Sequence, residues 1–297
     1  MSKEPPIIGI NKKLIYGLSI SRANYNNAST CKCGKPPFCL GIEMNSTSSK
    51  LHFSLPPITE AIIAFQFAEP VADRWIQKLP LKLKKEYATK VTLKNYSVSI
   101  DAAPSGEDAS SIKVEDLGLR LASNDQTNLL QVAPTFISFH RRAPYIDWED
   151  ILASAQNGLS MLDQIAGSVP LKSIATRYLN RIDIPFENAE KKSIEFENYF
   201  SLYSITPSSF EPMTMSHTAW SRTFEDLTNG YRYTINFSST PPVILDHHSF
   251  ILDIEVSSTG LISAKRGDLW PMLENFRREK NRAFLACLTP ATIGLFK

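Results

Sequence analysis

Glycine is scarce, 12 in 297 residues, and the glycines are nowhere grouped as G-x-G-x-x-G or as a Walker loop. Those turns bring backbone N–H groups onto a phosphate, so the two commonest nucleotide-binding signatures are missing. The G-x-S-x-G elbow and the H-E-x-x-H zinc motif are missing as well. No apolar run reaches the ~18 residues that a membrane-spanning helix requires. The apolar stretch Ile7–Ile20 is interrupted by Asn11, Lys12 and Lys13 and is followed by no small-residue cleavage site, so it does not read as a secretory signal. Cysteine is sparse too. Of the four, three crowd between Cys31 and Cys39, which is no disulfide framework for a chain of this size. These absences lead to the expectation of a cytoplasmic protein with no membrane partner and no cofactor.

The formal charge of +2 conceals an asymmetry. Residues 1–50 hold seven Lys/Arg against Glu4 and Glu43, whereas the remainder holds 25 basic and 28 acidic residues. Non-specific nucleic-acid binding rests on an excess of Lys/Arg facing phosphates, and the body of the chain has none, so nucleic acid is not the expected partner.

Residues 1–50 are rich in Asn, Ser, Lys and Gly and show neither helical nor strand periodicity. They read as a flexible tail or a non-native extension, with Met44 as the natural start. Cys31, Cys33 and Cys39 form C-x-C-x5-C, one ligand short of a structural zinc site.

Beyond Leu51 the pattern becomes regular. Glu60–Phe67 reads as an apolar strand, Val71–Thr89 as a helix divided at Pro80, and Tyr96–Asp101 as a strand. Leu117–Ala122 and Leu129–His140 read as a hairpin. Asp147–Ala166 is the clearest helix, with Asp147 as N-cap and Gly167 as stop. Lys172–Phe186 then reads as a strand and Ser193–Tyr203 as a short helix. Met213–Leu227 and Tyr231–Ser238 pair through Asn229-Gly230, the strongest short turn signal in the chain. Phe250–Ser257 is a last strand and Gly267–Leu288 a last helix. The expected fold class is α+β: a mostly antiparallel sheet with helices on one face. Its two units, 51–170 and 171–297, each run strand, helix, three strands, helix. That order resembles the duplicated saddle of the TATA-binding-protein-like class.

Polar residues out of phase with this pattern are the candidates for function. Period two places Arg177, Leu179, Arg181 and Asp183 on one face of a strand and Tyr178, Asn180 and Ile182 on the other. On Phe250–Ser257, Asp253 and Glu255 share a face opposite Leu252, Ile254 and Val256. Two arginines in line have the fork geometry that suits a carboxylate or phosphate. The plainer reading is that they meet the acids of the neighbouring strand across a solvated sheet face; the sharper one is a pocket for a small anionic ligand. Arg141, Tyr145 and Trp148, in the run FHRRAPYIDW, could stack on a base, or could seal a helix start against the sheet. Asp246-His247-His248 suggests a metal site only weakly, because adjacent histidines on a strand point to opposite faces. Nothing marks a Ser/His/Asp triad, and Cys287 lies in an apolar helical stretch where a thiol is inert.

The run FHRRAPYIDWEDI and, one helix later, ATRYLNRIDIP together resemble the signature of a sporadically distributed bacterial family that is defined by a sequence pattern and not by an activity. Tyr145, Trp148, Glu149, Arg177, Tyr178, Asn180, Arg181 and Pro185 carry the resemblance. PPITEAI (Pro56–Ile62) and LDIEV (Leu252–Val256) are also similar, with Glu255 where a second Asp would be usual. The family's patchy occurrence implies a setting among bacterial phage-defence or toxin-neutralising loci. The expectation is therefore a binding or regulatory protein with an undefined protein partner, with an enzyme or sensor for a phosphorylated or nucleotide ligand as the alternative.

Overall fold

The strictest alternation in the chain belongs to two strands that end up side by side at the centre of the sheet. A computed structural model describes residues 53–101, 109–187, 194–202, 217–260, 262 and 265–297. The expectations for residues 1–50, including Cys31, Cys33 and Cys39, lie outside the described residues. The elements are β1 (Ile58–Phe67), α1 (Asp73–Lys82), β2 (Thr89–Asp101), β3 (Ala109–Ala122), β4 (Asn128–Ala133), β5 (Phe136–Arg142) and α2 (Trp148–Ala166). They continue as β6 (Leu171–Pro185), α3 (Phe196–Tyr199), β7 (Ala219–Asp226), β8 (Tyr231–Thr240), β9 (His247–Ser258), α4 (Arg266–Cys287) and α5 (Pro290–Gly294). Among the described residues no helix is long and apolar enough to cross a membrane.

The nine strands make one antiparallel sheet in the order β2-β3-β4-β5-β1-β6-β9-β8-β7. The first strand of each half, β1 or β6, lies at the centre and pairs with the last strand of its own half, β5 or β9. The strand order is thus mirrored about the β1–β6 contact. The first half departs from the expected pattern in having four strands after its helix instead of three. Leu129–His140, read as one strand, is two: Ala133 pairs with Phe136 across Pro134-Thr135. Pro134 lacks an N–H for the ladder, so the chain turns there. The strands read at Tyr96 and Leu117 also extend outward, to Thr89 and Ala109, as one long β2–β3 hairpin.

On β6 the even-numbered residues from Ile174 to Ile184 are buried and the odd-numbered ones from Ser173 to Asp183 are half-buried. The buried phase continues laterally through Ala61, Ile63 and Phe65 on β1, Ile137 and Phe139 on β5, and Phe250, Leu252, Ile254 and Val256 on β9. The helices pack on this phase. Ile76 and Leu79 of α1, and Ile151, Ala155, Leu159 and Leu162 of α2, cover the first half. α4 spans both halves, with Leu269, Leu273 and Phe276 over the first core cluster and Ala283, Phe284 and Cys287 over the second. α2 starts and stops as its sequence indicates: Asp147 accepts a hydrogen bond from the Asp150 N–H at 2.8 Å, and Gly167 ends the helix at φ +79°.

Two glycines permit close approach. At the register shift between Leu93 and Lys94, Gly118 lies where a Cβ would come 2.2 Å from the Val132 carbonyl oxygen. A Cβ on Gly158 of α2 would lie 2.2 Å from Cε1 of Phe139, whose ring is fully buried. Gly158→Ala should therefore lower stability by up to about 2 kcal/mol, because an overpacking cost of about 1–3 kcal/mol outweighs the gain of roughly 1 kcal/mol in helix propensity. A denaturant midpoint equal to or above that of the native protein would contradict this packing.

Candidate functional site: a polar strip on the open face of the sheet

The odd phase of β6 faces away from all the helices, and its lateral neighbours are polar. In one row, His140 of β5, Ile62 of β1, Arg177 of β6, Glu255 of β9 and Thr234 of β8 are successive cross-strand partners. The next row runs Arg142, Glu60, Leu179, Asp253 and Asn236. A third, Ser138, Ala64, Ala175, Ser257 and Arg232, has small side chains at its centre and leaves a shallow floor beside the charges.

Two hydrogen-bonded sets occupy this strip. In the first, His140 Nδ1 lies 2.9 Å from Glu60 Oε1 and Nε2 lies 2.9 Å from Ser138 Oγ. Burial opposes the charge on Glu60, but the bond from His140 and the nearby Arg142 and Arg177 charges hold its carboxyl below the usual range. An ionised carboxylate can only accept, so Nδ1 carries the proton and, in the neutral ring, Nε2 accepts from Ser138. The connectivity is that of a serine–histidine–acid relay. However, Ser138 is buried, and its neighbouring main-chain N–H groups are committed to ladders with β1 and β4, so no oxyanion pocket forms there. The arrangement holds the imidazole in one orientation; it does not constitute a hydrolytic centre.

In the second set, Arg177 grips Asp253 with Nε at 2.8 Å and Nη2 at 2.6 Å, and Asn236 Nδ2 donates to the same carboxylate at 3.0 Å. Glu255 lies beside this pair. Burial raises its pKa, with Arg177 opposing the shift and Asp253 adding to it. Arg181 donates through Nε to Asp183 at 3.0 Å and through Nη2 to the Pro241 carbonyl at 3.0 Å, and Asp183 in turn accepts from Ser249. Thus Arg177, Arg181, Asp253 and Glu255 share one face, as their phase requires, and both arginines already hold carboxylates of the sheet. A shallow hollow of about 450 Å³ adjoins the strip, lined by residues such as Ser221, Asn236, Ile251 and Asp253.

The other predicted residues lie on the opposite, helix-covered face and cannot join the strip in one site. Tyr178 is fully buried, with its hydroxyl 3.4 Å from that of Tyr145 and its ring edge-on to Tyr145's. Burial pushes the Tyr145 hydroxyl up to about 12. The Asn180 amide donates to the Tyr178 and Leu252 carbonyls at 3.3 and 3.0 Å. Arg141 Nη1 bonds Thr127 and Asn128, both at 3.0 Å, and its Nε lies 3.5 Å from Asp150, an ion pair too long for a hydrogen bond. Trp148 is buried at the start of α2. This group closes α2 onto the sheet.

His247 Nδ1 is 2.7 Å from the Leu245 carbonyl, and the His248 ring packs on Phe186. Among the described residues, no group of three His, Cys, Asp or Glu side chains is placed to hold a metal ion. Glu60, Ser138, Arg142 and Asn236 belong to the strip but were not singled out from the sequence. The available signal was a polar residue at the solvent phase of an otherwise apolar strand, and that signal does not say which strands become neighbours.

Beneath Tyr178 lies a group that sequence reasoning missed. Lys280 of α4 is 7% exposed, with Nζ 3.6 Å from the centroid of the Tyr178 ring. Burial, followed by the charge of Arg277, pushes its pKa down to about 7 from 10.5. No family model matches the chain, nor does any curated protein.

Two outcomes follow. Asp253→Ala should destabilise the protein by about 3 kcal/mol, because it strands the Arg177 guanidinium, while Arg177→Met combined with Asp253→Leu should recover most of the loss. A negligible loss in the single variant would show the pair to be solvated. For Lys280, the unfolded chain binds between pH 7 and 10.5 a proton that the folded state has shed, so this residue makes stability rise with pH across that window. The native protein and Lys280→Met should thus differ most in melting temperature near pH 7 and converge as the pH is raised towards 9, with the variant the more stable at neutral pH. A gap that stays constant or widens would mean that Lys280 is charged in the fold.

Proposed function

We propose that this chain is a binding or regulatory protein that recognises a protein partner through the open face of its sheet. The observation that carries the reading is the one-sided cover: all five described helices lie on one face, and the other presents cations and carboxylates already paired with one another. A surface of matched, interleaved charges with its side chains held in place suits another protein bearing the complementary mosaic, for which electrostatic matching gives register and specificity. A phosphorylated or nucleotide ligand fits this geometry less well. It would have to draw Arg177 from Asp253 and Arg181 from Asp183, leaving Asp253 buried without its cation. The sporadic family that the motifs resemble suggests a bacterial phage-defence or toxin-neutralising locus as the setting.

Arg142 is exposed on this face and can report on it without breaking the paired sets. A photo-crosslinking residue at position 142, introduced into the full chain in its native host, should give one discrete adduct. The same residue at Gln156, exposed on α2, should give none. Adding Arg142→Glu to a crosslinker at Ser221, also exposed on the open face, should reduce the adduct. Equal adducts from both faces, or none from the open one, would rule the reading out.

A further inference from the structure

We propose that the outer edge of β7 pairs with the same edge of a second copy of this chain, joining two sheets into one across a two-fold axis. The proposal is independent of the open-face reading, since it concerns main-chain groups at the sheet's rim. Among the described residues no strand pairs with that edge.

Hydrogen bonding fixes which groups point outward. The Ser239 N–H donates to the Thr218 carbonyl and the Thr259 N–H to the Gly230 carbonyl. With the antiparallel alternation, the even-numbered residues of β8 face β9 and its odd-numbered ones face β7. On β7, therefore, Trp220, Arg222, Phe224 and Asp226 are bonded to β8, while Ala219, Ser221, Thr223 and Glu225 turn their N–H and C=O groups outward. Proteins ordinarily blunt such an edge with lysine, proline or a bulge. The other rim follows that practice: β2 carries exposed Lys90 and Lys94 and a register shift between Leu93 and Lys94. β7 has no lysine, proline or bulge, its charges are of both signs, and its register with β8 is unbroken over eight residues.

The sequence of β7 favours itself as the occupant. In antiparallel pairing about a two-fold axis through Phe224, the outward-pointing Thr223 and Glu225 of one protomer meet the partner's Glu225 and Thr223. This is the phase that main-chain bonding requires. On the helix-side face, the same register sets Phe224, 51% exposed, against the partner's Phe224. It also sets Arg222 against the partner's Asp226, twice. Arg222 already lies over the Trp220 ring at 5.1 Å, and Asp226 already accepts from Thr228 and Asn229. Both ends of each new ion pair are therefore held in place before they meet. A register shifted by one residue towards the N-terminus would oppose Arg222 with the partner's Phe224, and a two-residue shift would oppose two arginines, so charge selects the first.

Sedimentation equilibrium of the full chain tests this. The native protein should show a concentration-dependent monomer–dimer equilibrium. Thr223→Pro removes an outward N–H without touching the β8 ladder and should leave a monomer whose melting curve matches that of the native protein at concentrations too low for it to dimerise. Phe224→Lys keeps the backbone intact but sets two cations across the axis, and should weaken dimerisation by about tenfold or more. A native chain that stays monomeric to roughly 100 μM, well above an ordinary dimer affinity, overturns the proposal. So does a dimer that survives Phe224→Lys unchanged, which would place the interface elsewhere. Arg142→Glu should leave the dimer intact, so a failure of the open-face reading and a failure of this one are told apart.

Discussion

Everything in this fold depends on the segregation of side chains across the central pair β1–β6. On the even phase of β6, Ile174, Tyr178, Ile182 and Ile184 are buried against helices, and on the odd phase Arg177, Arg181 and Asp183 are not. A side-chain period of two means that a slip of one residue would drive two arginines into the apolar layer and expose that layer to water. Burying an aliphatic side chain is worth about 1.5–3 kcal/mol, so the register is held by a sum of such terms, with no dependence on any single contact. The polar strip exists because the helices have claimed the other face.

That segregation also explains why the charges of the strip pair among themselves. A half-buried guanidinium beside a buried carboxylate is stable only when each satisfies the other. Arg177 and Asp253 meet this condition with two short hydrogen bonds and a third from Asn236. The result is a stiff surface, and stiffness suits recognition because side chains that are already ordered lose little entropy on binding. Glu255, whose pKa burial raises, lies next to the pair.

The helix-covered face carries a different polar arrangement. Tyr145, Tyr178 and Asn180 form a small buried network with Lys280 stacked on it. A lysine so placed loses its hydration and gains only a ring face, which attracts a cation by perhaps 0.5–2 kcal/mol, less than full desolvation costs. Here the local choice works against stability, and among the described residues no carboxylate pairs with the amine to offset it.

How much of this was legible in the sequence follows from the range of the forces involved. Local pattern determined the α+β class, the capped helix α2 between Asp147 and Gly167, the Asn229-Gly230 hairpin and the shared face of Arg177 and Arg181, because each depends on neighbours within a few residues. It misread Leu129–His140 as one strand, since Pro134 could equally have sat on an edge. Its chosen residues also mixed two faces: Tyr178, Asn180, Arg141, Tyr145 and Trp148 turned out to lie under the helices, opposite the arginines. Only the tertiary structure decided that β1 lies beside β5, which brings Glu60 to His140 across 80 residues of chain, and that β6 lies beside β9, which brings Arg177 to Asp253 across 76. Such pairings are set by which apolar faces the helices can cover together. That is a property of the assembled sheet, and no single strand contains it.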